Sequence, residues 1–377
     1  MPADPRLRRA PTLHAYWKDG DLVLENVVTR VAVSADPATV QILDFFGTWR
    51  PRSALAGELR EFRPASITRA LRQLVEHTLL VEERSPVAAL CESVETTWRD
   101  WLPQGGYHFA TKDAPFASPS QWARMAREFL AEAPQPPLFK RYPRLPKHPL
   151  PAEASPAGDA FLRVLMSRKT HREFSGKPVT LDALASLLRY TWGAFGTIAS
   201  PNFGPLLHKT SPSGGARHPG EVYVAALNVK GLAQGLYHYS VKDHALERIH
   251  RGPMRKAVLR YTLGQQHVGD ACAVCFMTAV FPRSMFKYRS PRAYRIVTLD
   301  TGHLAQTFCL VATWLGLAPF TTAAVADTAI ERALGIDGVA ESIMYVAGVG
   351  MPRAIKAARR GAASRPRPSA GRTWRTT

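Results

Sequence analysis

The sequence predicts an α+β layer fold, and three observations carry that reading. Strand-like and helix-like segments are mixed without the regular βα alternation of a doubly wound sheet. Apolar residues make up 46% of the 377 and aromatics 9%, enough to fill a substantial core and too much for a disordered polycation. The 26 glycines and 30 prolines fall in scattered clusters with no G-x-y period, which excludes a collagen-like chain. At roughly 150 residues per domain, the length points to two domains or three.

From the N-terminus, Asp19-Gly20 between two short apolar runs reads as a hairpin turn. Val40, Leu43 and Phe46 stand at helical spacing ahead of Gly47, which predicts a helix over 38–46. Leu55 and Leu59 predict a second helix over 53–62. Ile67, Ala70, Leu71, Leu74 and Val75 share one face of a third over 66–77, and Leu79-Leu80-Val81 closes the unit as a strand. Residues 1–84 therefore read as a small winged-helix-like domain. Residues 85–156 read as a connector, with Trp98, Trp101 and Trp122 followed by a proline-dense stretch over 134–156.

Patterning sharpens over 157–356. A helix is expected over 160–166, and Thr180 caps another whose apolar face is Leu181, Leu184, Leu187, Leu188 and Trp192. Strands are expected over 222–227, 236–239, 271–281 and 343–349, and helices over 255–263 and 304–317, the last opened by Thr301-Gly302-His303. Residues 357–377 form a basic tail with almost no apolar residues to bury, expected to be disordered.

The chain carries 49 Lys and Arg against 30 Asp and Glu, a net charge of +19. Eight of these charges fall in the acid-free stretch 353–377, leaving +11 to explain. A winged helix with such a balance raises DNA binding. Between Thr48 and His77, however, six arginines meet three glutamates, and the helix over 66–77 offers a groove only Arg69, Arg72 and Gln73, so nucleic acid is disfavoured. The first thirty residues hold no apolar run of signal-peptide length, and four cysteines are too few for a disulfide scaffold, so a cytoplasmic location is expected. The charge-free run 301–326 is broken by Gln306, Thr307, Thr313, Gly316 and Pro319 and reads as a buried helix, not a membrane span. Cys272 and Cys275 lack a second pair at ligand spacing, and in a strand they would point to opposite faces, so packing is expected and no metal.

Four segments carry chemistry. Arg168, Lys169, Thr170 and Arg172 gather guanidiniums, an ammonium and a hydroxyl within five residues, a set that matches phosphate oxygens. Pro212-Ser213-Gly214-Gly215 is a glycine turn whose amides can approach a flat or anionic ligand. It is neither a P-loop nor a dinucleotide turn. Lys287-Tyr288 precedes Tyr294-Arg295, and Gly348-Val349-Gly350-Met351-Pro352-Arg353 runs from a strand into a basic turn.

In this order, together with Gly235-Leu236-Tyr237-His238-Tyr239 and Gly302-His303, these segments resemble the flavin-dependent nitroreductase fold. Within it they resemble the SagB-type (thiazole/oxazole-forming) peptide dehydrogenases; Thr170 stands where that family usually has serine. Trp17-Lys18-Asp19-Gly20, Leu24-Glu25-Asn26 and Ile42-Leu43-Asp44 look like the PqqD-like recognition elements of peptide-modifying enzymes, which add a leader peptide as a strand beside the wing. The resemblance implies one FMN across a homodimer interface. Arg168, Lys169, Thr170, Arg172 and Arg353 would then hold its phosphate, Pro212, Ser213, Gly214 and Gly215 would lie along the isoalloxazine, and Arg295 would add a polar contact. Lys287 and Tyr288 match the family's proton-abstracting position, where a lysine serves as base once burial or nearby cations lower its pKa. The implied reaction is oxidation of an azoline, or a related Cα–Cβ bond, in a ribosomal precursor peptide, with a cyclodehydratase as a further partner. Two alternatives stay open: an NAD(P)H-dependent nitro or ene reductase acting on small molecules, and a DNA-binding regulator with a degenerate flavin domain.

Overall fold

The computed structural model describes residues 4–60, 62–115, 117–132, 159–200 and 205–353. The proline-dense stretch 134–156 and the tail beyond Arg353 lie outside them. The α+β expectation holds. A six-stranded antiparallel sheet runs in the order Ala245–Arg251, Gly235–Ser240, Gly220–Ala226, Ala273–Val280, Glu341–Gly350, Ala318–Thr322. Both faces are covered, so alternate residues of one strand enter two cores. Val222, Val224 and Ala226 join one, while Tyr223 and Ala225 join the other. Leu181–Trp192 and the long helix Tyr294–Trp314 cover the first face; Arg255–Tyr261 and Asp327–Leu334 cover the second. Thr180 caps as predicted, accepting a hydrogen bond from Ala183 N at 3.2 Å.

Several expectations need correction. The long helix begins at Tyr294, so Thr301-Gly302-His303 lies inside it; Arg295, Asp300 and Gly302 hide a buried stripe of Tyr294, Val297, Thr301 and Leu304. The helix expected over 53–62 shrinks to a 3-10 turn and Leu55–Glu58, ending where Leu59 leaves helical backbone angles just after Gly57. The strand Ala245–Arg251 and the hairpin of Ala194–Ile198 with Leu206–Lys209 were not anticipated, because only one of the seven residues Ala245–Arg251 is even half-buried and none is fully so. Cys272 and Cys275 enter the same core, not opposite faces, since Cys272 precedes Ala273–Val280 and escapes its alternation.

Near the N-terminus, Leu13–Lys18, Asp21–Asn26 and Val31–Ser34 form a three-stranded antiparallel sheet, turned at Asp19 (φ 52°) and Gly20 (φ 93°). Arg6–Arg9 pairs with Arg50–Pro51 and with Leu80–Glu82. Helices Pro37–Phe45 and Pro64–Glu76 close a core of Leu7, Ile42, Phe46, Leu55, Leu71 and Leu80.

The segment read as a connector is helical where it is described, and its first two helices are packed. It forms helices Pro86–Trp98, Leu102–Thr111 and Pro119–Glu132. Trp98 and Trp101 are fully buried and share one core with Val27, Phe281, Tyr294 and Val297. Trp98 Nε1 donates to Val339 O at 3.0 Å, and Trp101 Nε1 donates to Tyr288 O at 2.8 Å. Nearby, Lys112 Nζ meets Glu331 Oε2 at 2.5 Å with both side chains nearly buried, and Ser342 Oγ donates to the other Glu331 oxygen.

Removing one partner of such a pair leaves the other charge buried and unanswered. Lys112→Met should lower stability by about 3–5 kcal/mol, read as a fall in the urea midpoint. Lys112→Met/Glu331→Leu should recover most of that loss; a double variant as unstable as the single one would contradict a buried pair.

Candidate active site

The glycine turn leads from Leu206–Lys209 into the strand Gly220–Ala226. Gly215 (φ 61°), Ala216 (φ 52°) and His218 (φ 44°) all sit in the left-handed region, which costs a residue with a Cβ about 1–2 kcal/mol. The surroundings hold them there. Asp300, buried on the long helix, accepts from Ser213 Oγ at 2.5 Å and from Gly214 N at 3.3 Å. Burial raises the Asp300 pKa against these two donors, which lower it. Ser213 Oγ also accepts from His218 N at 2.9 Å, and His303 Nδ1 lies 3.2 Å from Pro212 O. Arg283 Nη1 donates to His218 O at 3.1 Å and Arg217 Nε to Arg283 O at 2.9 Å, so the turn is tied at both ends.

Lys287 and Tyr288 follow the short helix Phe281–Met285, their backbone amides donating to Ser284 O at 3.2 and 3.0 Å. Their side chains converge on Gly215. A Cβ built there would run into Tyr288 Oη and stand 2.6 Å from Lys287 Nζ. Glycine takes the positive φ without strain and leaves both side-chain ends in place, whereas a larger residue would displace them. The pair opens on a cavity of about 540 Å³ lined also by Arg289, Arg292, Arg295, Ile296 and Leu299.

The basic segment lies elsewhere. Arg168 follows the helix Ala160–Ser167, its amide donating to Val164 O at 3.0 Å. His171 N then donates to Pro319 O and Ser175 N to Met351 O, and the Phe174 ring fills the space a side chain at Gly350 would take. This lays 168–175 along the strand ends and brings Arg172 and Arg353 to one cavity of about 750 Å³. Arg353 pairs with Glu173 at 3.0 Å, both exposed; Lys169 and Thr170 are exposed, and the Arg168 charge lowers the Cys309 thiol pKa against the burial that raises it. The structure therefore joins Pro212–Gly215 to Lys287, Tyr288 and the cavity of Arg295, and joins Arg172 to Arg353, but in one chain the two sets line different cavities.

Three residues at the site went unread in the sequence. Asp300 was passed over as the border of a charge-free run, although it lies on the face of Val297 and Leu304. Trp101 holds the Tyr288 carbonyl, a role with no sequence signal. Arg283 ties the turn to Glu221, with which it forms an ion pair. That carboxylate also accepts from His238 at 3.2 Å beside a cavity of about 780 Å³ that includes Lys209 and His218.

Among the described residues, no helix is long and apolar enough to cross a membrane and no group of three His, Cys, Asp or Glu is placed to hold a metal.

Comparison with known proteins gives a match to the nitroreductase family over residues 165–351. The trifolitoxin-processing protein TfxB of Rhizobium leguminosarum is 35% identical over 170 residues, 44% of this chain and 46% of that protein. A Methanocaldococcus jannaschii protein named as a nitroreductase is 32% identical over 173 residues, 46% of this chain and 83% of that protein. The microcin B17-processing protein McbC of Escherichia coli is 28% identical over 144 residues, 37% of this chain and 52% of that protein. The chain thus spans about half the length of the two peptide-processing relatives.

The histidines around the turn set a pH optimum of stability. Hydrogen bonds to Glu221 and Glu247 hold His238 protonated up to about 8, from an ordinary value of 6.5. The folded state therefore binds more protons in that window, and stability present below 6.5 is lost as pH rises through about 8. His218, lowered to about 4 chiefly by burial, has the opposite sign: its contribution is lost as pH falls from 6.5 towards 4. Urea midpoints across this range should peak near pH 6.5, and His238→Gln should flatten the alkaline side. An unchanged alkaline slope in that variant would contradict the assignment.

Proposed function

Because the chain belongs to the nitroreductase family, we propose that it is an FMN-dependent dehydrogenase acting on a ribosomally made peptide, with Lys287 as the base. One observation carries the reading: Lys287 Nζ and Tyr288 Oη meet over the side-chain-free face of Gly215. A flat ligand needs such a face, and an oxidation that removes a proton needs a base within reach of it. The two relatives named for trifolitoxin and microcin B17 processing support a peptide as substrate.

The residues present fit FMN. Gly215 lets Lys287 Nζ and Tyr288 Oη close on its backbone, so the turn presents main chain and no side chain beside them. Arg172 and Arg353 share a cavity and, with Arg168, Lys169 and Thr170, would hold a phosphate. Pro212, Ser213 and Gly214 would lie along the ring system, with Arg295 as a further polar contact. The separation of the two sets supports a homodimer in which each cofactor touches both chains. So do Phe161, Leu165, Met166 and Trp314, large apolar side chains left exposed.

FMN, when bound, supplies the two-electron oxidation. The chain supplies placement and proton handling: Lys287 Nζ takes the proton from the carbon next to the one oxidised, and Tyr288 Oη orients that nitrogen. Trp101 fixes the backbone from which both side chains project. The N-terminal sheet, whose strand Leu13–Lys18 is an edge with Trp17 exposed, would receive the leader as an added strand, the role of a winged-helix-like recognition domain. Among partners we include a cyclodehydratase that makes the azoline.

Purified protein should be yellow and release FMN on heating. Lys287→Ala should keep its FMN and lose about 10²–10⁴-fold in peptide oxidation. A colourless preparation that takes up no added FMN would overturn the reading, and wild-type turnover in Lys287→Ala would remove the base.

A further inference from the structure

Charge around the Lys287–Tyr288 cavity is one-sided. Its lining holds Lys287, Arg289, Arg292 and Arg295 and no carboxylate, while Tyr288, Ala293, Ile296 and Leu299 give it an apolar floor. Asp100 answers Arg289 at 3.5 Å from outside the cavity. Among the described residues, neither Arg292 nor Arg295 has a carboxylate within ion-pair distance. Arg295 also stands in the first turn of the 21-residue helix Tyr294–Trp314, whose N-terminus adds positive potential. Leu299, one turn further on, is 60% exposed and leaves a large apolar side chain open beside the guanidiniums. Arg292 and Arg295, two guanidiniums with no carboxylate in ion-pair distance beside an apolar floor, repel one another, and an anion carried on an apolar group relieves both conditions.

We propose that this cavity selects an anionic peptide segment: a carboxylate next to the ring to be oxidised lies against Arg292, while the ring packs on Ile296 and Leu299. Arg292 is then a specificity-determining residue. The carboxylate comes either from an Asp or Glu side chain flanking the ring or from the peptide's own C-terminus. The inference rests on the reading of Lys287 as base, because it places the reacting ring beside that amine. The cations assigned to the cofactor phosphate line another cavity. A guanidinium that serves substrate changes substrate affinity and leaves cofactor retention alone.

The test uses the flavin-loaded full chain and three capped thiazole peptides, titrated calorimetrically at low and high salt. The first carries Asp beside the ring and an amide end, the second Asn and an amide end, and the third Asn and a free C-terminal carboxylate. The first or the third should bind about tenfold or more tighter than the second, as expected for charge-assisted hydrogen bonds, and whichever does names the source. That advantage should shrink with salt and vanish in Arg292→Ala, which should retain its flavin. Equal binding of all three, no binding of any, or a preference unchanged in Arg292→Ala overturns the proposal. Loss of flavin in that variant also overturns it, by assigning Arg292 to the cofactor. Turnover by Lys287→Ala is measured in parallel: its persistence removes the base, and the binding preference is judged on its own titrations.

Discussion

The site is organised by an atom that is missing. Gly215 has no Cβ, and its left-handed backbone stands so close to Lys287 Nζ and Tyr288 Oη that a larger residue would push both side-chain ends aside. Such an approach is stable only if both sides are held. The long helix holds the turn through Asp300 and His303, and the indole of Trp101 holds the opposite loop by the carbonyl of Tyr288. The Lys–Tyr pair and the glycine turn lie about seventy residues apart in the chain, and the six-stranded sheet with its covering helices is what brings them into register.

Buried charge is handled differently in different parts of the molecule. Away from the site, carboxylates taken from water are answered: Glu331 by Lys112 and Ser342, Glu221 by Arg283 and His238. Under the turn, Asp300 is answered by a hydroxyl and a backbone amide, so it anchors without supplying a cation. Around Lys287 the balance is reversed: among the described residues Arg292 and Arg295 have no carboxylate within ion-pair distance. Part of the excess positive charge therefore stands where a ligand would complete it.

What the sequence made legible was what depends on the residue itself. The strand Ala273–Val280 is apolar but for Thr278 and could be read from its letters, as could the cap at Thr180 and the turn at Gly214-Gly215. The pairing of Lys287 with Tyr288 came from resemblance to a family, and the structure adds that both reach Gly215. What depends on partners could not be read. Nothing about Trp101 says that its N–H is spent on a carbonyl 187 residues away. Asp300 drew no reading while the helix was expected to open at Thr301; with the helix starting at Tyr294 it falls on the buried face. The basic segment was legible as chemistry but not as geometry, because its separation from the turn is a property of the folded chain.

The two indole hydrogen bonds of Trp98 and Trp101 have an evolutionary consequence. They reach from one helical segment to Val339 and Tyr288, two distant points of the sheet-and-helix body. Neither side can drift alone: a change of angle in residues 98–108 displaces the loop that carries the ammonium. The N-terminal half is therefore not a detachable accessory that recombination could exchange freely. Substitutions near Trp101 should co-vary with those near Tyr288 and Tyr294 across descendants, so that the N-terminal helices and the Lys287–Tyr288 loop are inherited as one unit.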